Sequence, residues 1–201
     1  YEDVRICDQL LTVTDMDKEV NDNSYILDKL GFNQFFGYLL DSGKGLNTAY
    51  AMNVFTKNSN SKELLKEITI GSGGTGTYKL YFMEGNGGTT DISKMTLIGS
   101  GKLTHSGYVT HKLEHPLLLG TGVTDFSIAV YYSMDVTTMP VPVSVNDSVR
   151  YSPVSVGVNK TFASHNGKSW SDLSNFEGNV LIASIKAFTD DVNYEFNIDK
   201  P

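Results

Sequence analysis

Four histidines and one cysteine are the side chains of this chain best suited to catalysis or to binding a transition metal. His111 and His115 have the i, i+4 spacing that places two zinc ligands on one face of a helix. However, Gly107–Leu113 alternates like a strand, Pro116 follows His115 at once, and no H-E-x-x-H motif occurs. Cys7 lies in R-I-C-D-Q-L, which lacks the signature of a papain-like nucleophile. These residues predict neither a zinc site nor cysteine peptidase chemistry.

A serine hydrolase is the remaining enzymatic alternative. The chain has no G-x-S-x-G motif, the turn that exposes a nucleophilic serine in one large hydrolase class. A cryptic hydrolase would need support from a loss of activity on mutating His165 or Asp172. We predict that the chain is not an enzyme.

Two further stretches have the composition of ligand-binding loops, and in both the flanking residues argue otherwise. Gly71–Gly76, G-S-G-G-T-G, leads into the strand-like Thr77–Phe82, whereas a phosphate-binding loop continues with lysine and a helix. We predict a flexible hairpin turn there. Acidic and amide side chains alternate from Asp15 to Asn23, but an EF-hand loop starting at Asp15 would have valine at its sixth position and isoleucine at its twelfth. We interpret this stretch as a solvated strand or linker.

Short strands separated by turns are the elements that would position any site. Leu64–Ile70 favours a helix locally but is short and continues into strand-like residues, so we predict a strand. The prolines Pro140 and Pro142 indicate an edge or loop segment, because proline cannot donate to a central ladder. Asn47–Thr56 and Phe126–Tyr132 alternate with period two. In the second, one face carries the apolar side chains of Phe126, Ile128, Val130 and Tyr132.

The C-terminal third combines a turn, the single tryptophan and a long apolar run. His165–Lys168 contains Asn-Gly, the strongest short hairpin signal, and leads to Trp170. Val180–Phe188 predicts a central strand buried on both faces, against which we expect Trp170 to pack. With about ten short strands at this spacing, the sequence predicts an all-β sandwich or jelly roll.

Composition limits the classes of partner. The net charge of −7 argues against nucleic acid, since affinity for phosphates comes mostly from Lys and Arg. No stretch approaches the roughly 20 apolar residues of a membrane-spanning helix. The chain starts at Tyr1 without an initiator methionine, and we expect it to be a segment of a longer protein. We divide it into an N-terminal segment or linker, residues 1–24, and one domain, residues 25–201.

Eight stretches, in order, resemble the lectin-like domain that follows papain-like cysteine peptidase domains in bacterial and archaeal cell-surface proteins. They are Y-I-L-D-K-L-G-F at 25–32, N-T-A-Y-A-M-N-V-F-T at 47–56, E-L-L-K-E-I at 63–68, T-Y-K-L-Y at 77–81, G-Y-V-T-H-K-L at 107–113, F-S-I-A-V at 126–130, S-H-N-G-K-S-W-S-D-L at 164–173 and I-K-A-F-T at 185–189. The resemblance implies a jelly-roll-type β-sandwich like those of carbohydrate-binding modules, often with bound calcium. It also implies an extracellular location at the cell surface, beside a peptidase domain.

Calcium binds hard oxygen ligands, and the matched stretches supply them near predicted strand ends. The candidate metal ligands are Asp28, Asn47, Asn53 and Glu63. The alternative is that the two asparagines cap turns and that Glu63 is a solvated charge at a sheet edge.

A sugar site would combine an aromatic platform with groups that hydrogen-bond hydroxyls. The candidate ligand-binding residues are Phe36, Tyr38, Tyr131 and Tyr132. Tyr131 and Tyr132 are adjacent on a strand, so they must point to opposite faces of the sheet.

We therefore predict a non-catalytic lectin-like module for binding or adhesion on a cell-surface protein, with glycan or cell-wall material as its partner. The alternative is a structural accessory domain that packs on an adjacent cysteine peptidase of the same protein without binding sugar.

Overall fold

The computed structural model describes residues 21–29, 31–58, 60–88, 90–145 and 154–192, and its regular structure is almost entirely β. Two short 3₁₀ helices, Ile92–Lys94 and Leu173–Asn175, interrupt the strands. In chain order the strands are β1 (Asn23–Ile26), β2 (Gln34–Phe36), β3 (Thr48–Thr56), β4 (Glu63–Glu84), β5 (Thr96–Leu119), β6 (Asp125–Met134), β7 (Val141–Val145), β8 (Thr161–Ser164), β9 (Ser171–Asp172), β10 (Leu181–Ala183) and β11 (Ile185–Asp191). The predicted all-β class is confirmed.

The strands form two antiparallel sheets. The larger has the order β1-β11-β4-β6-β3-β8-β9, and β5 pairs with β4 along almost its whole length. The smaller has the order β10-β7-β2. Strand β1 begins at Asn23, so the sheet includes the last two residues of the predicted N-terminal segment. The finer assignment of a jelly roll stays a prediction.

One hydrophobic core lies on the inner face of the large sheet and includes side chains of the small sheet, such as Val141 and Val143. Period-two alternation produces this face: the side chains predicted to share one side of β6 are all at most 1% exposed. They are Phe126, Ile128, Val130 and Tyr132. This part of the prediction is confirmed.

The glycine-rich stretch is part of β4 and not a hairpin turn, so that prediction is wrong. Leu64–Ile70 is a strand as predicted, and β4 continues without a break through Gly71–Gly76. Gly73 lies under the ring of Phe35, where an added Cβ would be only 2.8 Å from a ring carbon. The glycines therefore allow aromatic rings to lie directly on the strand backbone, a role that composition cannot distinguish from turn formation.

The sequence predicts a strand over Gly107–Leu113 that Pro116 closes, but strand β5 continues past Pro116 to Leu119, so this end is wrong. The register with β4 shifts between the pairs Glu67↔Lys112 and Leu65↔Leu117. Pro116 falls in the bulge that this shift creates, and bulges are one of the positions where a sheet tolerates proline.

The apolar run Val180–Phe188 is not one strand, which corrects a second prediction. It crosses from β10 in the small sheet to β11 in the large sheet at Ser184. Nδ2 of the buried Asn53 donates to the carbonyls of Ala183 at 2.9 Å and Ile185 at 3.1 Å, on both sides of the crossing. This side chain satisfies buried carbonyls that the change of sheet leaves outside a regular ladder.

Pro142 lies inside β7, the central strand of the small sheet, rather than in an edge or loop segment. The ladder with β10 covers only Val143–Val145, so Pro142 pairs with Phe35 of β2 alone. Its carbonyl accepts a hydrogen bond from Ser184 N at 2.9 Å. The proline is tolerated because the β10 ladder ends before it.

Candidate functional site

The outer face of the large sheet, opposite the core, carries a group of half-buried aromatic side chains. Tyr50 on β3 is in register with Tyr131 on β6, and their ring centroids are 4.8 Å apart. Trp170 packs on the other side of Tyr50 with centroids 6.2 Å apart, and its Nε1 donates to the carbonyl of Thr90 at 2.8 Å. Tyr81 on β4 lies on the same face. We call Tyr50, Tyr81, Tyr131 and Trp170 the aromatic platform.

Polar side chains continue this face one step further along the strands. Thr48 on β3 pairs with Ser133 on β6, and Ser133 pairs with Thr77 on β4. Cross-strand partners share a face with Cβ atoms about 5 Å apart, so the three hydroxyl groups form a row. This hydroxyl row lies beside the aromatic platform.

Two loops, which contain Gly88 and Gly167, border the platform on the side opposite the hydroxyl row. An added Cβ at Gly88 would collide with the ring of Phe162, and one at Gly167, whose φ is 71°, would meet Ile92 and Tyr50. The loops thus cover the apolar outer face around Phe162 and leave the platform as its half-exposed margin. Asp91 belongs to the same wall and accepts a hydrogen bond from Ser93 N at 2.9 Å.

Tyr50 and Tyr81 of the platform are neutral hydrogen-bonding groups at physiological pH, because their pKa values lie above the ordinary value for tyrosine. Burial raises the pKa of Tyr50, and the neighbouring Tyr81, Tyr131 and Asp91 raise it further. Burial and Tyr131 raise the pKa of Tyr81. Hydrogen bonds from Ser93 lower the pKa of Asp91, although burial opposes them, and Asp91 is therefore ionised. A face of this kind presents flat apolar rings, hydroxyl donors and one carboxylate acceptor.

Comparison with known proteins identifies the family. The profile of the lectin-like domain family matches residues 25–189, which is more than half of the chain. The chain belongs to the lectin-like domain family. No curated protein matches its sequence.

Two solved structures resemble this lectin-like domain, both at 19% identity, which supports the fold alone. One contains the cysteine protease and lectin-like domains of Cwp84, a surface layer associated protein of Clostridium difficile (TM-score 0.59, covering 72% of this chain and 32% of that one). The other is a clostridial cysteine protease Cwp84 after propeptide cleavage (TM-score 0.65, covering 84% and 40%). The lectin-like domain thus spans well under half the length of either chain.

Of the four predicted sugar-binding residues, only Tyr131 lies in the platform. Tyr132 points to the opposite face, as predicted for adjacent strand residues, and at 1% exposure it is a core side chain that a dissolved ligand cannot reach. Phe36 and Tyr38 form a separate cluster, with Phe36 in edge contact with Tyr38 at 5.1 Å and with Phe176 at 5.3 Å. Burial raises the pKa of Tyr38 to about 12.

Trp170 does not pack against the strands formed from Val180–Phe188, which corrects the sequence prediction. It joins the outer cluster of Met52, Phe162 and their neighbours. Tyr50, its closest aromatic contact, was missed as a candidate. The alternation of β3 was visible in the sequence, but the pairing of Tyr50 with Tyr131 depends on a register between residues 81 positions apart.

The predicted metal ligands occupy three locations: Asn53 and Asp28 both contact the crossing around Ser184, whereas Asn47 and Glu63 lie elsewhere. Asn53 lies in the core at the crossing between the sheets, where its Nδ2 serves two carbonyls. The buried Asp28 accepts hydrogen bonds from Ser144 Oγ at 2.5 Å and Ser184 Oγ at 3.3 Å. Asn47 precedes β3 and donates to the carbonyl of Met134 at 2.8 Å. Six residues of extended chain separate Asn47 from Asn53, a distance of about 20 Å.

Glu63 is 2% exposed and belongs to a third network. Its carboxylate accepts hydrogen bonds from Tyr25 Oη at 2.7 Å, Ser61 Oγ at 2.6 Å and Thr189 Oγ1 at 2.6 Å. Burial would raise its pKa, but these bonds and the charge of Lys57 together lower it. Glu63 is therefore not a solvated charge at a sheet edge, which was the alternative drawn from the sequence. It is also not a carboxylate without hydrogen-bond partners that is free to bind a metal.

The four residues therefore do not converge on one ion, and the two carboxylates already accept hydrogen bonds. Among the described residues, no group of three His, Cys, Asp or Glu side chains has the spacing to hold a metal.

His165 stacks edge-on against Tyr38, and Asp172 accepts from the backbone of Asn159 and Ser174. Cys7 and the stretch Asp15–Glu19 lie outside the described residues. No helix in the described part of the chain has the length and apolar content needed to cross a membrane.

Proposed function

We propose that this lectin-like domain is a non-catalytic binding module of a cell-surface protein and that its aromatic platform binds glycan. The observation that carries the proposal is the contact between the half-exposed rings of Tyr50 and Tyr131, next to the hydroxyl row. Pyranose rings have one apolar face that packs on aromatic side chains, while their hydroxyls need hydrogen-bond partners at the edge. Both requirements are met within one patch of the sheet.

The similar structures support the proposed location. Cwp84 is a surface layer associated protein that contains a cysteine protease domain together with a lectin-like domain. By analogy, we propose that the present domain is extracellular, at the cell surface, next to a peptidase domain of the same protein. Its partner would be a glycan or another component of the cell wall.

A glycan array tests the proposed function. We expect the purified domain to bind a limited set of saccharides, because the platform offers one defined arrangement of rings and hydroxyls. Retention on an insoluble cell-wall preparation provides a second readout with the natural material. Absence of binding in both assays, with a folded protein confirmed by its melting curve, would contradict the proposal.

A second candidate function is docking on a neighbouring domain, and an exposed apolar patch favours it. Leu39 is 72% exposed and Val136 is 87% exposed. Leu40 and Met139, on the same two loops, are also exposed. The loops touch, since Gly37 lies against the backbone of residues 138–139. Clustered apolar exposure of this kind is typical of interaction sites.

An adjacent cysteine peptidase domain of the parent protein would be the partner at this patch. The test uses the domain joined to its peptidase, with and without the double substitution Leu39→Ser/Val136→Ser. If the peptidase covers the patch, the substituted protein is expected to be cleaved faster between the two domains than the native protein. Equal proteolysis of the two proteins would argue against docking at these loops. Neither Leu39 nor Val136 belongs to the aromatic platform or the hydroxyl row, so we expect this variant to retain glycan binding.

Calcium stays a prediction of the family resemblance, without an assigned set of ligands. An ion that binds only the folded chain stabilises it by RT ln(1 + [L]/Kd), which is about 2.7 kcal/mol at a hundredfold excess over Kd. A chelator should then lower the melting temperature, and added calcium should restore it. Melting that is indifferent to both would remove calcium from the proposal.

A further inference from the structure

The chain has a net charge of −7, yet lysines flank the aromatic platform. Lys79 on β4 is the cross-strand partner of Tyr131, so its side chain projects from the same face beside that ring. Lys102 on β5 is the partner of Thr77, which places it at the end of the hydroxyl row. Both lysines are exposed, and neither forms an ion pair among the described residues.

The loops beside the platform add further charges. Lys94 and Lys168 are exposed and lie near Asp91, where their charges contribute to its lowered pKa. Asp135 follows β6 beyond the hydroxyl row, and its backbone nitrogen donates to the carbonyl of Thr75. Asp91 and Asp135 offset the charges of two of these four lysines. The edge formed by β4 and β5 keeps the positive charges of Lys79 and Lys102.

We propose that the platform selects anionic glycans, which carry carboxylate or phosphate groups, over neutral ones. This inference rests on the proposed glycan-binding function and specifies its ligand class. A sugar ring on Tyr131 would have its substituents within reach of Lys79, since neighbouring Cβ atoms are about 5 Å apart and the lysine side chain is longer than that. The ammonium groups would then pair with an acidic substituent at the rim of the site.

The location of these lysines distinguishes this arrangement from general surface charge. An acidic protein repels anionic polymers at long range, and this repulsion is screened beyond about 8 Å at physiological ionic strength. Attraction at the platform therefore has to come from charges that contact the ligand. Lys79 and Lys102 are positioned for this role because each shares a face with groups of the candidate site.

The test measures the binding of four polymers to the intact domain by affinity electrophoresis and titration calorimetry, with inorganic polyphosphate as a control that carries charge but no sugar. Hyaluronan supplies carboxylates, poly(glycerol phosphate) teichoic acid supplies phosphates, and dextran and N-acetylglucosamine oligomers are neutral. The variant is Lys79→Gln/Lys102→Gln, which removes two charges and keeps the side-chain length. The matched control is Lys29→Gln/Lys44→Gln, which changes the net charge equally at exposed positions outside the strands that form the platform.

We expect at least one anionic polymer to bind more tightly than both neutral ones at low salt. The platform variant should lose about twofold to thirtyfold of that affinity, the range for two exposed ion pairs, while the control variant keeps it. The preferred polymer identifies whether carboxylate or phosphate is recognised. Raising the salt concentration should reduce the difference between the native domain and the variant.

Four results would overturn the inference. Tighter binding of a neutral polymer, or equal loss in both variants, would refute selection by these lysines while leaving the glycan-binding function in place. Equally tight binding of inorganic polyphosphate, which has no sugar, would reduce the interaction to charge alone. Failure of all four polymers to bind would contradict the proposed function itself, and the inference would fail with it.

Discussion

Replacing Phe126 by alanine is expected to lower the free energy of unfolding by about 3–5 kcal/mol, the range for a buried phenylalanine. The side chain has no exposed surface, and its ring contacts Tyr25 at 5.0 Å and Phe55 at 5.3 Å between centroids. Alanine would leave a cavity among the rings of Tyr25, Phe55 and Phe82, which belong to β1, β3 and β4. Urea unfolding followed by Trp170 fluorescence measures the change.

Leu39→Ala is the matched control for this prediction. Leu39 is 72% exposed, and a substitution at such a position changes stability by no more than about 0.5 kcal/mol. A loss below about 1 kcal/mol for Phe126→Ala, or equal losses for both variants, would contradict the placement of β6 in the core.

Glu63→Ala is expected to be comparably destabilising, by about 3–5 kcal/mol, because three hydroxyl groups lose a charged acceptor and each donor left unsatisfied in a buried site costs about 1–3 kcal/mol. The hydroxyls of Tyr25, Ser61 and Thr189 would lose their shared acceptor. The ammonium group of the buried Lys57 would keep its hydrogen bonds to the carbonyls of Asn58 and Ser61 but would lose the favourable charge of Glu63. Glu67→Ala on the same strand is the control, since Glu67 pairs with the exposed Lys112 at 3.4 Å and such pairs contribute about 0–1 kcal/mol.

The same carboxylate predicts a pH dependence. The pKa of Glu63 is lower in the folded chain than its ordinary value of 4.5, so the folded state favours the ionised form. Its contribution to stability is complete above pH 4.5 and is lost as the pH falls through the folded pKa. The difference in unfolding free energy between the native domain and Glu63→Gln should therefore shrink on acidification below pH 4.5. A difference that is constant from pH 7 to pH 3 would show that the carboxylate is not held in its ionised form.

Features that depend on local periodicity were predictable from the sequence. The alternation of Phe126–Tyr132 identified a strand and its buried face, and adjacent positions placed Tyr131 and Tyr132 on opposite sides. The Asn-Gly turn before Trp170 joins β8 to β9, as its composition indicates. These signals are local, because the pleat and the turn conformation are set within a few residues.

Features that depend on long-range packing could not be predicted in this way. Gly73 has the composition of a turn and lies in a strand because a ring from β2 covers it. The change of sheet at Ser184 depends on the side chain of Asn53, about 130 residues earlier. The platform likewise exists only through the register of β3, β4 and β6, so its residues are separated in the sequence and share no motif.

The affinity of the aromatic platform for glycan is the most direct test of the central claim. Titration calorimetry would compare the native domain with Tyr50→Ala/Tyr131→Ala, using the saccharide that binds best on the array, and with Phe35→Ala, an exposed aromatic position on the small sheet. We predict at least a tenfold loss of affinity for the double variant, since central aromatic contacts contribute about 2 kcal/mol or more, and unchanged affinity for Phe35→Ala. Unchanged binding by a folded double variant would contradict the assignment of this surface as the glycan site.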